Sequence, residues 1–348
     1  MKKYFCGLDV SLNSTAVCVV NQDGDIVREG EVPTEPAAIH EWLGKLGLAM
    51  ERVGLEAGGL TPWLCHELLS LNYPAICIET RHAKAALKAQ QVKTDRNDAR
   101  GIAHIMRTGW YREVHLKSHV SQKLRVLLNN RRCLLDKRLD IDSQIRGTLK
   151  VFGMKTGKVT IRSYEPRIRE LIGDDQELQA YIFPMLAVRR ELIVQMMKLE
   201  KMILDHVRDD EVCRRFMTAP GIGPLTALLY KTSIDRPQRF ARSKAVGAAV
   251  GLTPRKYASG EVDYDGHITK CGDAFLRSHL FEAATVLLTR GKPSALKAWG
   301  LRLAKRSSKK KACVAVARRL AVILHAMWRD GTEFRFNQPG VDALAAAA

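Results

Sequence analysis

Residues 4–32 decide the fold: Tyr4-Phe5-Cys6-Gly7-Leu8-Asp9-Val10, the turn Ser11-Leu12-Asn13-Ser14, a second run Thr15-Ala16-Val17-Cys18-Val19-Val20, the turn Gln22-Asp23-Gly24-Asp25, and a third run from Ile26 to Val32. The runs are short, apolar and β-branched, and the segments between them carry turn residues, an Asp-Gly hairpin signal among them. This pattern predicts a meander of three antiparallel strands.

Downstream, the period changes. Pro36–Leu48 reads as a helix, Arg52–Glu56 as a strand, Trp63–Leu71 as a helix and Ala75–Ile78 as a further buried strand. A meander followed by alternating helix and strand is an α/β layout. It matches a ribonuclease-H-like sheet better than a doubly wound dinucleotide fold. The chain has neither GxGxxG nor GxxxxGK[ST], so a nucleotide cofactor has no support.

Acids recur on these elements: one at a strand centre, one at a strand end and two on a helix. Asp9 lies at the centre of the first strand, where an unpaired carboxylate is costly to bury; an Asx turn into Ser11 is the simpler reading. Glu56 closes another strand and is followed by Ala57-Gly58-Gly59. Gln91-Val92-Lys93-Thr94-Asp95-Arg96-Asn97-Asp98-Ala99-Arg100 then opens a helical pattern. Asp95 and Asp98, at i and i+3, share one helix face. Carboxylates that converge repel unless a cation or proton separates them, and Mg²⁺ takes oxygen ligands of this kind. Two such ions would serve phosphoryl transfer. The alternative is an N-capping Asp with a second Asp favoured by the helix dipole.

The rest of the chain reads as mainly helical. Ser118–Gly153 and Gln176–Asp209 carry apolar stripes flanking a basic section, Met154–Gly173. They predict an antiparallel hairpin or coiled coil with a basic tip, either a plain helical core or a dimerisation element. Ala219-Pro220-Gly221-Ile222-Gly223-Pro224 is a turn whose Gly221 and Gly223 expose backbone N–H groups suited to a phosphate, or simply a tight interhelical turn. Phe240–Gly251 reads as a small-residue helix. A Gly-rich basic loop ahead of a helix comes next, with Ser259 among Arg255, Lys256 and Lys270, and with Arg277 beyond. A serine among phosphate-binding cations can attack a phosphodiester once activated; Ser-Gly is equally a plain turn. The run Lys305–Lys311, containing Lys309, Lys310 and Lys311, leads into the apolar helix Ala312–Trp328.

Lys and Arg number 56 against 37 Asp and Glu, a formal charge of +19, which favours a polyanionic partner. No run approaches ~18 apolar residues without charge, so a membrane span is not expected. Eight scattered cysteines without a CxxC pair read as reduced and mostly buried, as in a cytosolic protein.

Three motifs carry a resemblance. Gly7-Leu8-Asp9-Val10-Ser11, Gly54-Leu55-Glu56-Ala57 and Lys93-Thr94-Asp95-Arg96-Asn97-Asp98-Ala99 resemble the DEDD motif of insertion-sequence transposases with a RuvC-like N-terminal domain, related to the Piv DNA invertase. Gly251-Leu252-Thr253-Pro254, Ser259-Gly260 and Gly266-His267-Ile268-Thr269-Lys270-Cys271-Gly272-Asp273 resemble the C-terminal transposase domain of the same family, whose catalytic serine precedes this glycine. Members often carry Ser-Ser-Gly; here Ala258 holds the earlier position.

The resemblance implies an α/β fold with a ribonuclease H/RuvC-like domain over 1–114 and a helical hairpin over 115–212. A mainly α transposase domain over 213–335 and a disordered tail over 336–348 complete the expectation. It implies Mg²⁺, or Mn²⁺, held by Asp9, Glu56, Asp95 and Asp98, with Ser259 forming a covalent phosphoserine link during strand exchange. Expected nucleic-acid contacts are Lys93, Arg96, Gly221, Gly223, Arg255, Lys256, Lys270, Arg277 and Lys309–Lys311. Expected partners are element-end and target DNA, a structured guide ("bridge") RNA, and further copies of the chain in a dimer or tetramer with a composite site. The expected location is bacterial, cytoplasmic and nucleoid-associated. The rival reading is a RuvC-type Holliday-junction endonuclease that uses two metals and water.

Overall fold

The three N-terminal strands form as a meander in the computed structural model, which describes residues 2–88 and 94–336. They are β1 (Tyr4–Val10), β2 (Ser14–Asn21) and β3 (Ile26–Pro33). β4 (Met50–Glu56) and β5 (Ala75–Ile78) add in parallel to β1, so the sheet order is β3-β2-β1-β4-β5. The antiparallel pairs need only short turns, whereas each parallel strand is reached through a helix. These helices are α1 (Pro36–Gly44) and α2 (Thr61–Ser70). α1 was expected to reach Leu48. It stops at Gly44, before Gly47, which takes a positive φ of +61°.

Alternation along the strands divides the core of this unit, which ends at Lys117. Cys6, Leu8, Val17, Val19, Val53 and Leu55 face α1 and α2. Phe5, Cys18 and Val20 face α3 (Thr80–Leu87) and α4 (Asp95–Thr108). α4 sits directly on strand backbone. A Cβ on Gly7 would lie 2.2 Å from the Ala99 carbonyl oxygen and 2.3 Å from the Ala103 nitrogen; one on Gly54 would meet Met106 at 2.6 Å. Two glycines thus let a helix come within backbone distance of the sheet. Gly7→Val forces that helix outward. We expect it to lower unfolding free energy in urea by at least ~2 kcal/mol; unchanged stability would show that α4 does not depend on this contact.

The second unit begins at Ser118. α5 (His119–Val151) and α7 (Gln176–Asp209) pair antiparallel. Arg131 bonds Glu200, while further up α5 Asp142 bonds Arg189, further back on α7. The section between them is not a plain basic tip. It contains α6 (Ile161–Ile172), whose Tyr164, Ile168 and Ile172 are buried in a core with Leu149, Ile182 and Leu186. Arg162, Arg167 and Arg169 ride on its outer side and mask the four-residue apolar spacing in the sequence.

This end of the hairpin is fastened by an ion cluster. Asp142 accepts from Arg138 at 3.0 Å and Arg189 at 2.6 Å, and the Arg189 guanidinium lies over the Tyr164 ring at 4.2 Å. Arg189 is 2% exposed, so its charge has little recourse to water. Removing one member of a buried pair strands the other. Asp142→Ala is expected to cost ~3–5 kcal/mol in urea unfolding; a loss below ~1 kcal/mol would mean that water reaches both arginines.

The hairpin base shares one core with the helices C-terminal to it. Leu127, Leu128, Ile203 and Val207 pack with α8 (Glu211–Met217), α9 (Pro224–Ile234), α11 (Ala274–Thr289), α12 (Ala295–Arg306) and α13 (Lys309–Asp330). The expected helix over 240–251 is shorter. A 3-10 turn at Pro237–Arg239 precedes α10 (Lys244–Ala249). The segment expected to be a loop around Ser259 is instead an antiparallel hairpin, β6 (Pro254–Ser259) and β7 (Val262–Ile268). Among the described residues no helix is long and apolar enough to cross a membrane.

Candidate active site

Asp9 and Glu56 lie at the C-terminal ends of neighbouring parallel strands. Gly7 pairs with Gly54 and Leu8 with Leu55, so Asp9 and Glu56 stand one step beyond. Side chains two apart on a strand share a face, which puts both acids on the face that Gly7 and Gly54 turn to α4. The direction of α4 is set by its contacts. Gly7 lies under Ala99 and Ala103, Gly54 under Ile102 and Met106, and Arg52, earlier on β4, donates to the Met106 carbonyl at 2.8 Å. α4 therefore runs against β1 and β4, with its Asp95–Asp98 turn over the strand ends that carry Asp9 and Glu56. All four expected acids share one edge and one face. Asp9, Glu56 and Asp98 are half-buried and Asp95 is exposed. Among the described residues, no three His, Cys, Asp or Glu side chains stand close enough to hold a metal ion together.

The first turn of α4 is fixed by residues other than the acids. Thr94, not an aspartate, is its N-cap, accepting from the Asn97 N–H at 3.2 Å. Glu29 of β3 holds the Arg100 guanidinium through two bonds, at 2.7 and 2.8 Å, and also pairs with Arg96. Arg96, expected to meet nucleic acid, thus has a carboxylate partner within its own unit. Glu29 escaped the sequence reading because nothing local distinguishes it from any other strand acid. The loop after Glu56 is equally anchored. Thr61 Oγ1 donates to the Glu56 carbonyl at 2.6 Å and Thr80 Oγ1 to the Ala57 carbonyl at 3.0 Å. Burial pushes the Cys18 thiol up against the pull of Arg100 and Arg96, which leaves it protonated and a poor nucleophile. Lys93 lies outside the described residues.

In the second unit Ser259 is the last residue of β6, exposed, at the tip of the hairpin. Ser259 pairs with Val262 across the turn Gly260-Glu261, and Gly260 takes a positive φ of +54° that favours glycine. Lys256 pairs with Asp263 across the strands, while Arg255 is exposed. At the base, Arg277 Nη1 donates to the carbonyls of Val250 (3.1 Å) and Cys271 (2.9 Å). That arginine, expected on nucleic acid, clamps the backbone from which the hairpin springs. Asp273 caps α11 and accepts from Arg125 at 2.8 Å and Ser233 at 2.7 Å. Lys270, beside them, is exposed at φ +55°.

The remaining expected contacts divide. Gly221 takes φ +85°, and a Cβ there would lie 2.3 Å from the Ala283 carbonyl oxygen. It exists for close packing on α11 rather than as an open phosphate seat. Gly223 is the N-cap of α9, with open space beside it. Lys309, Lys310 and Lys311 occupy the exposed first turn of α13, next to Lys305 and Arg306 at the end of α12. Cations at a helix N-terminus oppose its dipole, so folding alone does not account for them.

A family described as "Transposase IS116/IS110/IS902 family" matches residues 213–299, and a DEDD transposase family of IS110 type matches residues 6–154. The transposase for insertion sequence element IS1111A of Coxiella burnetii is 28% identical over 331 residues, covering 92% of this chain and 88% of that protein. The transposase for insertion sequence element IS1328 of Yersinia enterocolitica is 26% identical over 291 residues, covering 81% and 85%. The Thermus thermophilus RuvC structure aligns with 33% of this chain and 100% of its own, at 14% identity and a TM-score of 0.25. With the two family matches spanning more than half of its length, the chain is an insertion-sequence transposase and belongs to the IS110 family.

Proposed function

We propose that this transposase cleaves and exchanges DNA strands through a covalent phosphoserine at Ser259, in a reaction that needs a divalent cation at the edge formed by Asp9, Glu56, Asp95 and Asp98. One observation carries the cation reading: Asp9 and Glu56 end neighbouring strands on the face that α4 covers, and Asp95 and Asp98 lie in the first turn of that helix, brought there by Gly7 and Gly54. Their donors are all oxygen, which suits Mg²⁺ or Mn²⁺. A bound cation would offset charge developing on the phosphate oxygens.

Ser259 Oγ attacks phosphorus, the P–O bond to the leaving strand breaks, and the serine proton ends on the released hydroxyl. The phosphoserine ester keeps the bond energy available for joining a new strand. The serine and the acids stand on different units, and the reading requires both at one phosphate. Further copies of the chain, in a dimer or tetramer, would supply such a composite site; exposed Val194, Met197 and Leu204 along α7 offer them an apolar face. The exposed lysines of α13, Lys270 and the +19 charge favour DNA and a structured guide RNA as polyanionic partners.

The sheet also supports a second reading, a RuvC-type nuclease in which water attacks and Ser259 is a turn residue. The two part on one measurement. End-labelled element-end DNA is incubated with protein and Mg²⁺ and resolved on a denaturing gel. A label shifted to protein mass supports the phosphoserine; nicked DNA without the shift supports water.

A further inference from the structure

We propose that Tyr257 and Tyr264 form a stacking platform for a DNA base beside Ser259. This deepens the phosphoserine reading and rests on it for the position of the scissile phosphate. The two residues pair directly across the hairpin, and their rings stack at 5.0 Å with an interplanar angle of 18°. They are 44% and 55% exposed, so the stack leaves large aromatic area in water.

Period-two alternation assigns the hairpin residues to two unlike faces. One carries Arg255, Tyr257 and Ser259 with Val262, Tyr264 and Gly266; the other carries Lys256 and Ala258 with Asp263 and Asp265. Both strand acids thus lie opposite the tyrosines, and the face that holds Ser259 has a cation and no carboxylate. Gly266 keeps that face clear, since a Cβ there would come 2.8 Å from the Tyr257 ring. An exposed aromatic pair on an acid-free face fits a base next to its phosphate. Aromatic rings accept any base by stacking, and the arginine suits the backbone. The occupant is DNA because the enzyme is a transposase and its nucleophile candidate lies on the same face.

The test uses full-length Ser259→Ala protein, so that DNA is not consumed, and element-end duplexes with 5-iodouracil placed at successive thymines. Irradiation is expected to crosslink Tyr257 or Tyr264, located by peptide mass. Tyr257→Val with Tyr264→Val, which keeps strand-forming residues, is expected to weaken DNA binding roughly tenfold or more, and the paired Tyr→Phe changes to leave it near the parent. Crosslinks confined to other residues would overturn the platform. So would crosslinks to iodouracil RNA but not to DNA, or a valine variant with parental DNA affinity and an altered sedimentation mass, which would make the tyrosines a contact between copies. An adduct persisting in Ser259→Ala would remove the nucleophile and leave the platform result standing.

Discussion

Ser259→Ala is expected to fold and bind DNA as the parent does and to form no protein–DNA adduct. The residue is exposed at the hairpin tip, and the turn beside it is shaped by Gly260. Surface changes of this kind stay within about 0.5 kcal/mol of neutral. Its hydroxyl is the attacking atom, and removing a nucleophile costs strand exchange on the order of 10⁴-fold or more. Ser259→Cys retains a small fraction, since a thiolate is a competent nucleophile that leaves a different ester. The denaturing gel reads both variants beside wild type. An adduct in the alanine protein would move the nucleophile to another residue, and nicking at parental rate without any adduct would establish water in its place.

Asp98→Asn and Asp9→Asn are expected to lower strand cleavage on the order of a thousandfold, while the urea midpoint stays put or rises. Neither residue caps α4, since Thr94 does, and carboxylates along one edge repel one another, if weakly at separations too wide to share a metal ion. Against that relief, Asp98→Asn gives up its interaction with the helix dipole, at about 0.3–1 kcal/mol. Asp95→Asn belongs to the same series and is expected to act alike. Cleavage is assayed across a Mg²⁺ and Mn²⁺ titration, with unfolding measured in parallel. Parental cleavage by either variant would remove that acid from the site, and a collapse of stability would return it to a structural role.

Much of the first unit was legible because its strands are bounded by turn chemistry. The spans of β1 and β5 come directly from apolar runs closed by polar residues, and the antiparallel meander from the turn residues between its strands. Glu56 was legible as a polar residue where a strand ends and Asp95 with Asp98 as a helical pair, whereas Asp9, read at a strand centre, stands next to last in β1. What the sequence concealed lies in packing. Nothing about Gly7 or Gly221 as letters reveals that a helix backbone presses on each. Tyr164, Ile168 and Ile172 mark a buried helix face, yet the arginines between them suggested a solvated segment. The β6–β7 hairpin escaped for the opposite reason. It buries no face, so it lacks the alternation by which strands are read, although Tyr257, Val262 and Tyr264 around a Ser-Gly turn were the signal to find. Arg96 and Arg277 show what charge alone conceals: each reads as a surface cation, and each has partners within its own unit, Glu29 for the one and backbone carbonyls for the other.

The two faces of the serine hairpin differ by a single step of the chain. Neighbouring strand residues point to opposite sides, so slippage of β6 against β7 by one position turns Ser259 and Tyr257 toward the side of Asp263 and Asp265. Beyond Ile268 at its base, which packs on the core, no buried surface on this ribbon resists such a slip. What fixes the phase is local: Gly260 in the turn, the Tyr257–Tyr264 stack and the Lys256–Asp263 pair. The ribbon therefore works as a two-sided key whose orientation is set by parity. Substitutions in the strands adjust the fit, whereas a one-step slip reverses the key.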